Sequence, residues 1–230
     1  MRPSSSVWFG VFLIPALAVA HISANSAPVS TNTTQEIVLS VGHGCEGADT
    51  AFVRTVIPAG VTSVRAMPSD FGRATVEKDA TGAATAVNWV RADADLLDDD
   101  TNFYKLTLRA RMPNTPFTTV FFPTEQRCKL SDGGLAISYW TNTSGLPPDA
   151  GEPEAAPSIA LVPAHRAGWN KITVPVAVQN LGLYFSDAQI VWKGNAAFSA
   201  NQSVAGLISA TEGVDPLTSL AANDEIWVKY

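Results

Sequence analysis

Between residues 103 and 111 apolar and polar side chains alternate. Tyr104, Leu106, Leu108 and Ala110 fall on one face, and Lys105, Thr107, Arg109 and Arg111 on the other. A period of two belongs to an extended strand with one face buried and one in water, as in an antiparallel sheet. Shorter runs at 35–41, 51–57, 61–67, 73–78, 84–91, 117–122 and 135–140 have strand-like composition. Turn-forming residues separate several of them: Pro58-Ala59-Gly60, Pro113-Asn114-Thr115-Pro116 and Asp132-Gly133-Gly134. Many short strands at this spacing predict an all-β protein built as a sandwich.

The pattern stops at 143–157, where prolines, glycines and acids replace any apolar period. This stretch reads as a loop or linker. Beyond it, strands are expected at 158–162, 171–174, 181–185, 188–192 and 225–229, with a helix at 202–210. No internal repeat is apparent. The organisation expected is a sandwich over 21–142, a Pro-rich connection over 143–157, and a β-rich extension over 158–230 that packs on or completes the domain.

Residues 1–20 read as a secretory signal. Arg2 gives a positive start, 7–19 is an apolar run broken only by Gly10 and Pro15, and Ala18-Val19-Ala20 is a small-x-small cleavage site. The apolar run is shorter than the roughly 20 residues that span a bilayer. Cleavage after Ala20 would leave a chain with no transmembrane helix, in the periplasm or secreted. The formal charge is −6 and no basic cluster occurs, so nucleic acid is not an expected partner. The two cysteines, Cys45 and Cys128, are expected to pair in an oxidising compartment.

Few residues carry recognisable chemistry. Gly-x-Ser-x-Gly, His-Glu-x-x-His and P-loop motifs are all missing, so hydrolysis finds no support. Asp93, Asp95, Asp98, Asp99 and Asp100 lack EF-hand spacing and read as a solvated acidic turn. Cleavage would place His21 at the N-terminus, where its free amine and Nδ1 can close a six-membered chelate ring on one ion. The α-amine has a pKa of about 8 and releases its proton to a metal far more readily than a lysine does. Such a pair of nitrogens suits Cu(II), which tops the affinity order of divalent ions. The plainer reading is that some residue must stand first. His43, in the turn Gly42-His43-Gly44-Cys45-Glu46-Gly47, reads as a loop histidine, with a secondary metal role as its alternative. His165 reads as solvated.

Several segments together resemble the YcnI-like copper-binding domain family. They are Ala20-His21, the run from Val41 through Gly42-His43-Gly44-Cys45-Glu46-Gly47 to Thr50, and Ile57-Pro58-Ala59-Gly60-Val61. The run from Leu106 to Pro116 and the run Phe121-Phe122-Pro123-Thr124-Glu125-Gln126-Arg127-Cys128 extend it. The segments from Asp187 to Gly194 and from Asp224 to Tyr230 are similar to a C-terminal extension of some members. The resemblance implies a sandwich of immunoglobulin or fibronectin-III type. It also implies extracytoplasmic Cu(II) held by one N-terminal histidine, a carboxylate and a tryptophan. Carried over by position, these are His21, Glu46 and Trp140, with Trp89 as the alternative tryptophan.

The function expected is non-enzymatic: copper trafficking, storage or homeostasis, with a copper transporter or chaperone as possible partner. Two other readings stand beside it. One is a copper oxidase or monooxygenase, which would need a second imidazole that only His43 could supply. The other is a structural or adhesion sandwich in which His21 binds nothing.

Overall fold

The structure, a computed structural model, describes residues 22–25, 27–149 and 152–230. The expected signal segment, its expected cleavage point and His21 lie outside the described residues. The chain runs through β1 (Ile22–Ala24), β2 (Val29–Ser30), β3 (Thr34–Val41), β4 (Thr50–Val56), β5 (Thr62–Ala66), β6 (Arg73–Lys78) and β7 (Ala84–Val90). It continues through β8 (Tyr104–Arg111), β9 (Thr119–Phe121), β10 (Thr124–Lys129), β11 (Leu135–Asn142), β12 (Glu154–Ala155), β13 (Ser158–Val162) and β14 (Trp169–Thr173). It ends with α1 (Leu181–Tyr184), β15 (Ile190–Lys193), β16 (Ala196–Phe198), α2 (Gln202–Ala210), β17 (Asp215–Pro216) and β18 (Glu225–Lys229).

One sheet has the order β1-β3-β8-β5 and a larger one β12-β11-β10-β4-β7-β6. Their inward faces share a core. Ile37, Leu39 and Val41 of β3 and Leu106, Leu108 and Ala110 of β8 meet Val53, Val87, Trp89 and Trp140 of the larger sheet. The alternation of β8 is realised, since Tyr104, Leu106, Leu108 and Ala110 are buried while Lys105, Arg109 and Arg111 are exposed. Each fully buried side chain of this kind contributes about 1.5–3 kcal/mol. The result is a β-sandwich. A small third sheet, β2-β13-β9, adds Ile159 and Leu161 to the same core. The first strand after the Pro-rich segment therefore completes the sandwich.

Past Pro163 a five-stranded sheet, β14-β18-β15-β16-β17, builds a second core. Val174, Leu181, Phe185, Val191, Ile226 and Val228 fill it, together with Phe117 from the sandwich. Phe117 meets Tyr184 edge-on at 5.8 Å and Phe185 at 5.6 Å between ring centres.

Some expectations need correction. The segment at 181–185 is the short helix α1, not a strand. The Asn180 side chain accepts from the Leu183 N–H at 3.2 Å and caps the turn, and Leu181 and Phe185, four apart, both enter the second core. The strand expected at 117–122 shrinks to β9, because Phe117 turns out of it at φ +62°. The helix α2 falls where it was expected, with Asn201 accepting from the N–H groups of Ser203 and Val204. Cys45 and Cys128 form a disulfide with Cα atoms 5.6 Å apart. No helix among the described residues is long and apolar enough to cross a membrane.

Candidate metal centre

The site grows out of the end of β3. Ile22 of β1 pairs with Val41, and the chain then turns through 42–48 into β4. The turn closes tightly, so that a Cβ on Gly44 would lie 1.8 Å from the Ala48 carbonyl oxygen. Only glycine fits there. The Ala48 N–H donates to the Cys45 carbonyl at 2.9 Å, and Glu46 takes φ +52°, which sends its side chain outward. The disulfide ties this turn to β10.

Against the turn stands the inner face of β11. Trp140 points inward there and is buried. Its Nε1–H donates to Oε1 of Gln126 at 3.2 Å. Gln126, fully buried on β10, donates through Nε2 to the His43 carbonyl and to Thr50 Oγ1, both at 2.9 Å. One side-chain amide thus links the tryptophan to the turn that carries His43 and Glu46. Between them lies a cavity of about 440 Å³, lined by His43, Glu46, Tyr139 and Trp140, with Glu152 and Glu154 on its other side. Glu154 sits opposite Trp140 because β12 pairs in parallel with β11.

The cavity lining holds three carboxylates and no lysine or arginine. Its field therefore favours a cation. His43 Nδ1 lies 2.8 Å from the Gly44 carbonyl oxygen and 3.7 Å from Asp100 Oδ2. A carbonyl can only accept, so Nδ1 is the donor there, and in the neutral ring Nε2 is the atom with the lone pair. That Nε2 is buried and has no hydrogen-bond partner among the described residues.

Of the residues singled out from sequence, Glu46, Trp140 and His43 share this cavity. Trp89 does not line it and is wholly enclosed in the sandwich core. His165 lies far along the chain, stacked on Tyr230 at 3.5 Å. The acidic run forms a short 3₁₀ turn at Asp93–Asp95, with Asp93 paired to Lys129 at 2.6 Å. Among the described residues no three His, Cys, Asp or Glu side chains gather into a ligand set. Sequence reasoning missed Gln126, Glu152 and Glu154 as parts of the site. The two-residue step from Gln126 to Cys128 would have placed both on one face of a strand.

Residues 21–161 match the family described as Domain of unknown function (DUF1775), the YcnI-like family. The chain belongs to the DUF1775 family. The matched DUF1775 region takes in the sandwich and every residue lining the cavity, and ends within β13. An uncharacterized protein from Nocardia farcinica, whose crystal structure reveals an immunoglobulin-like fold, is similar at TM-score 0.51 and 22% identity. The alignment covers 62% of this chain and 98% of that one. The DUF1775 sandwich is accordingly immunoglobulin-like. BcpA (D312A), the major pilin subunit of Bacillus cereus, aligns at TM-score 0.38 and 9% identity over 91% of this chain and 55% of its own. No curated protein matches the chain.

Proposed function

We infer that this DUF1775 protein binds Cu(II) outside the cytoplasm and carries it as cargo in copper trafficking, storage or homeostasis. The observation that supports this reading is the convergence of Glu46, Glu152 and Glu154 with Trp140 on one cavity. Position 21 is one residue before Ile22, and consecutive Cα atoms are about 3.8 Å apart. Ile22 in turn pairs with Val41, two residues before His43. The reading requires that the residue preceding Ile22 reach the cavity mouth. The described donors alone make no ligand set, so the site needs the chelate that His21 would bring as a free N-terminus.

In this reading the His21 amine and imidazole supply two nitrogens and Glu46 one oxygen. The Trp140 ring forms a wall that limits water and attracts the cation through its π face. Glu46 is exposed, which suits a metal that must be passed on. One observation favours a second reading. The lone pair of His43 Nε2 lies in a residue lining the same cavity, so a two-imidazole centre with oxidase chemistry is the alternative.

The test compares correctly cleaved protein with a form carrying one extra residue before His21. Cu(II) should bind the cleaved form one-to-one, quench part of the tryptophan emission, and give an EPR spectrum with one imidazole. The extended form should bind far more weakly, because its amine has become a peptide nitrogen. Equal binding by both forms would remove the amine from the site. Two imidazoles in the spectrum, with ascorbate turnover, would move the oxidase reading ahead.

A further inference from the structure

A separate cavity of about 660 Å³ lies between the loop at 67–72 and the start of β8. Arg91, just past β7, reaches into it with its side chain nine-tenths buried. Its Nε–H donates to the Asp95 carbonyl at 2.7 Å. The nearest carboxylate oxygen, Asp49 Oδ2, is 3.9 Å away, too far for a hydrogen bond. Asp49 is already satisfied by other donors. Its Oδ1 accepts from the Thr50 N–H at 2.8 Å and the Tyr104 hydroxyl at 2.6 Å, and its Oδ2 from the Leu97 N–H at 2.9 Å. Burial, with the hydrogen bond that the hydroxyl donates to Asp49, pushes the Tyr104 phenol up to about 12, so the hydroxyl remains a donor.

The two terminal nitrogens of Arg91 therefore have no protein acceptor among the described residues. The guanidinium is nonetheless held in place. It lies 4.9 Å from the centre of the Tyr104 ring and 5.9 Å from that of Phe71. Its terminal nitrogens face the cavity rather than the core, and a planar acceptor that takes two parallel N–H bonds matches a guanidinium fork best.

We propose that this cavity binds a small monocarboxylate with an aromatic or other apolar body. The carboxylate takes the Arg91 fork. The charges around the cavity set the valence of the ligand. Asp49 offsets Arg91, and the lining holds one exposed aspartate, Asp70, for its one exposed lysine, Lys105, so no surplus positive charge is present for a dianion. The apolar body has a ready surface: Phe71 is enclosed, while Phe103 stands 57% exposed at the cavity. None of these residues lines the metal cavity, and the proposal does not depend on copper.

Calorimetric titration of the full mature chain with benzoate, benzamide and inorganic phosphate tests it, with the Arg91 side-chain N–H resonances followed by NMR. Benzoate should bind saturably and one-to-one and shift the Arg91 resonances, while benzamide and phosphate should not compete. Arg91→Lys keeps the charge but loses the fork, and should weaken benzoate by about tenfold or more. Phe103→Ala, at an exposed position that folding does not require, should weaken it several-fold. No saturable benzoate binding, or benzamide binding as well as benzoate, overturns the proposal. So does phosphate preferred over benzoate, or benzoate binding that leaves the Arg91 resonances unmoved. If Arg91→Lys does not fold, the Phe103→Ala titration and the wild-type resonances still decide.

Discussion

A single buried amide carries much of the candidate metal centre. Gln126 uses three of its hydrogen-bonding positions at once, toward Trp140, His43 and Thr50. Trp140 and Thr50 are buried and His43 half-buried, so removing the amide strands at least two buried polar groups. Gln126→Leu preserves volume and deletes those bonds. It should lower the unfolding free energy by at least about 1–3 kcal/mol, read from denaturant midpoints at unchanged slope. Copper quenching of tryptophan emission should fall as well, because the indole of Trp140 is no longer held against the turn bearing Glu46. A variant with wild-type midpoint and wild-type quenching would show that the amide holds nothing.

At the level of strands and helices, what the sequence discloses depends on whether burial is achieved with apolar side chains. The strands β3 and β8 were legible because their inward positions are aliphatic or aromatic. The strand β10 was not, since Thr124-Glu125-Gln126-Arg127-Cys128-Lys129 looks polar at almost every position. Its inward residues Thr124, Gln126 and Cys128 are buried nonetheless. Hydrogen bonds, such as that between Thr55 and Thr124 at 3.0 Å, and the disulfide replace hydrophobic contacts there. An apolar run as short as 181–185 fits a helix or a strand equally by period, and only the Asn180 cap decides it. Glu46 and Trp140 were named by family resemblance, whereas Glu152 and Glu154 lie in a segment with the composition of a linker. Their approach to Trp140 depends on the parallel pairing of β12 with β11, which no local pattern announces. The disulfide joins the turn at 42–48 to β10 across 83 residues. Closing a loop of that length contributes about 4–5 kcal/mol in the chain-entropy model. Reduction should therefore cost stability on that scale. It should also speed amide hydrogen exchange in 42–48 more than in β3 or β8, whose ladder is independent of the bridge. Uniform acceleration across all three would argue against a local clamp.

The whole molecule has two cores, and one ring from the sandwich is built into the second. Phe117 adopts φ +62°, a conformation that costs a bulky residue about 1–3 kcal/mol, and it does so while buried among the residues of the C-terminal sheet. Its N–H donates to the Leu161 carbonyl at 2.7 Å, and Thr119 Oγ1 lies 3.3 Å from the Tyr184 hydroxyl, so further bonds back up the ring at the same junction. The strain is sustained because the ring fills the space between Tyr184 and Phe185. Phe117→Ala should remove about 3–5 kcal/mol, as expected for a buried phenylalanine, and the loss should fall on the C-terminal unit. The DUF1775 sandwich keeps its own core, which contains no residue of the second one. Calorimetric unfolding of the variant should accordingly separate into two transitions, the lower belonging to the C-terminal sheet, and limited proteolysis should cut first beyond Val162. Copper quenching, which reads the sandwich, should survive the lower transition. A single transition that moves down as one would mean that the two cores fold as one cooperative unit, with the sandwich depending on the sheet behind it.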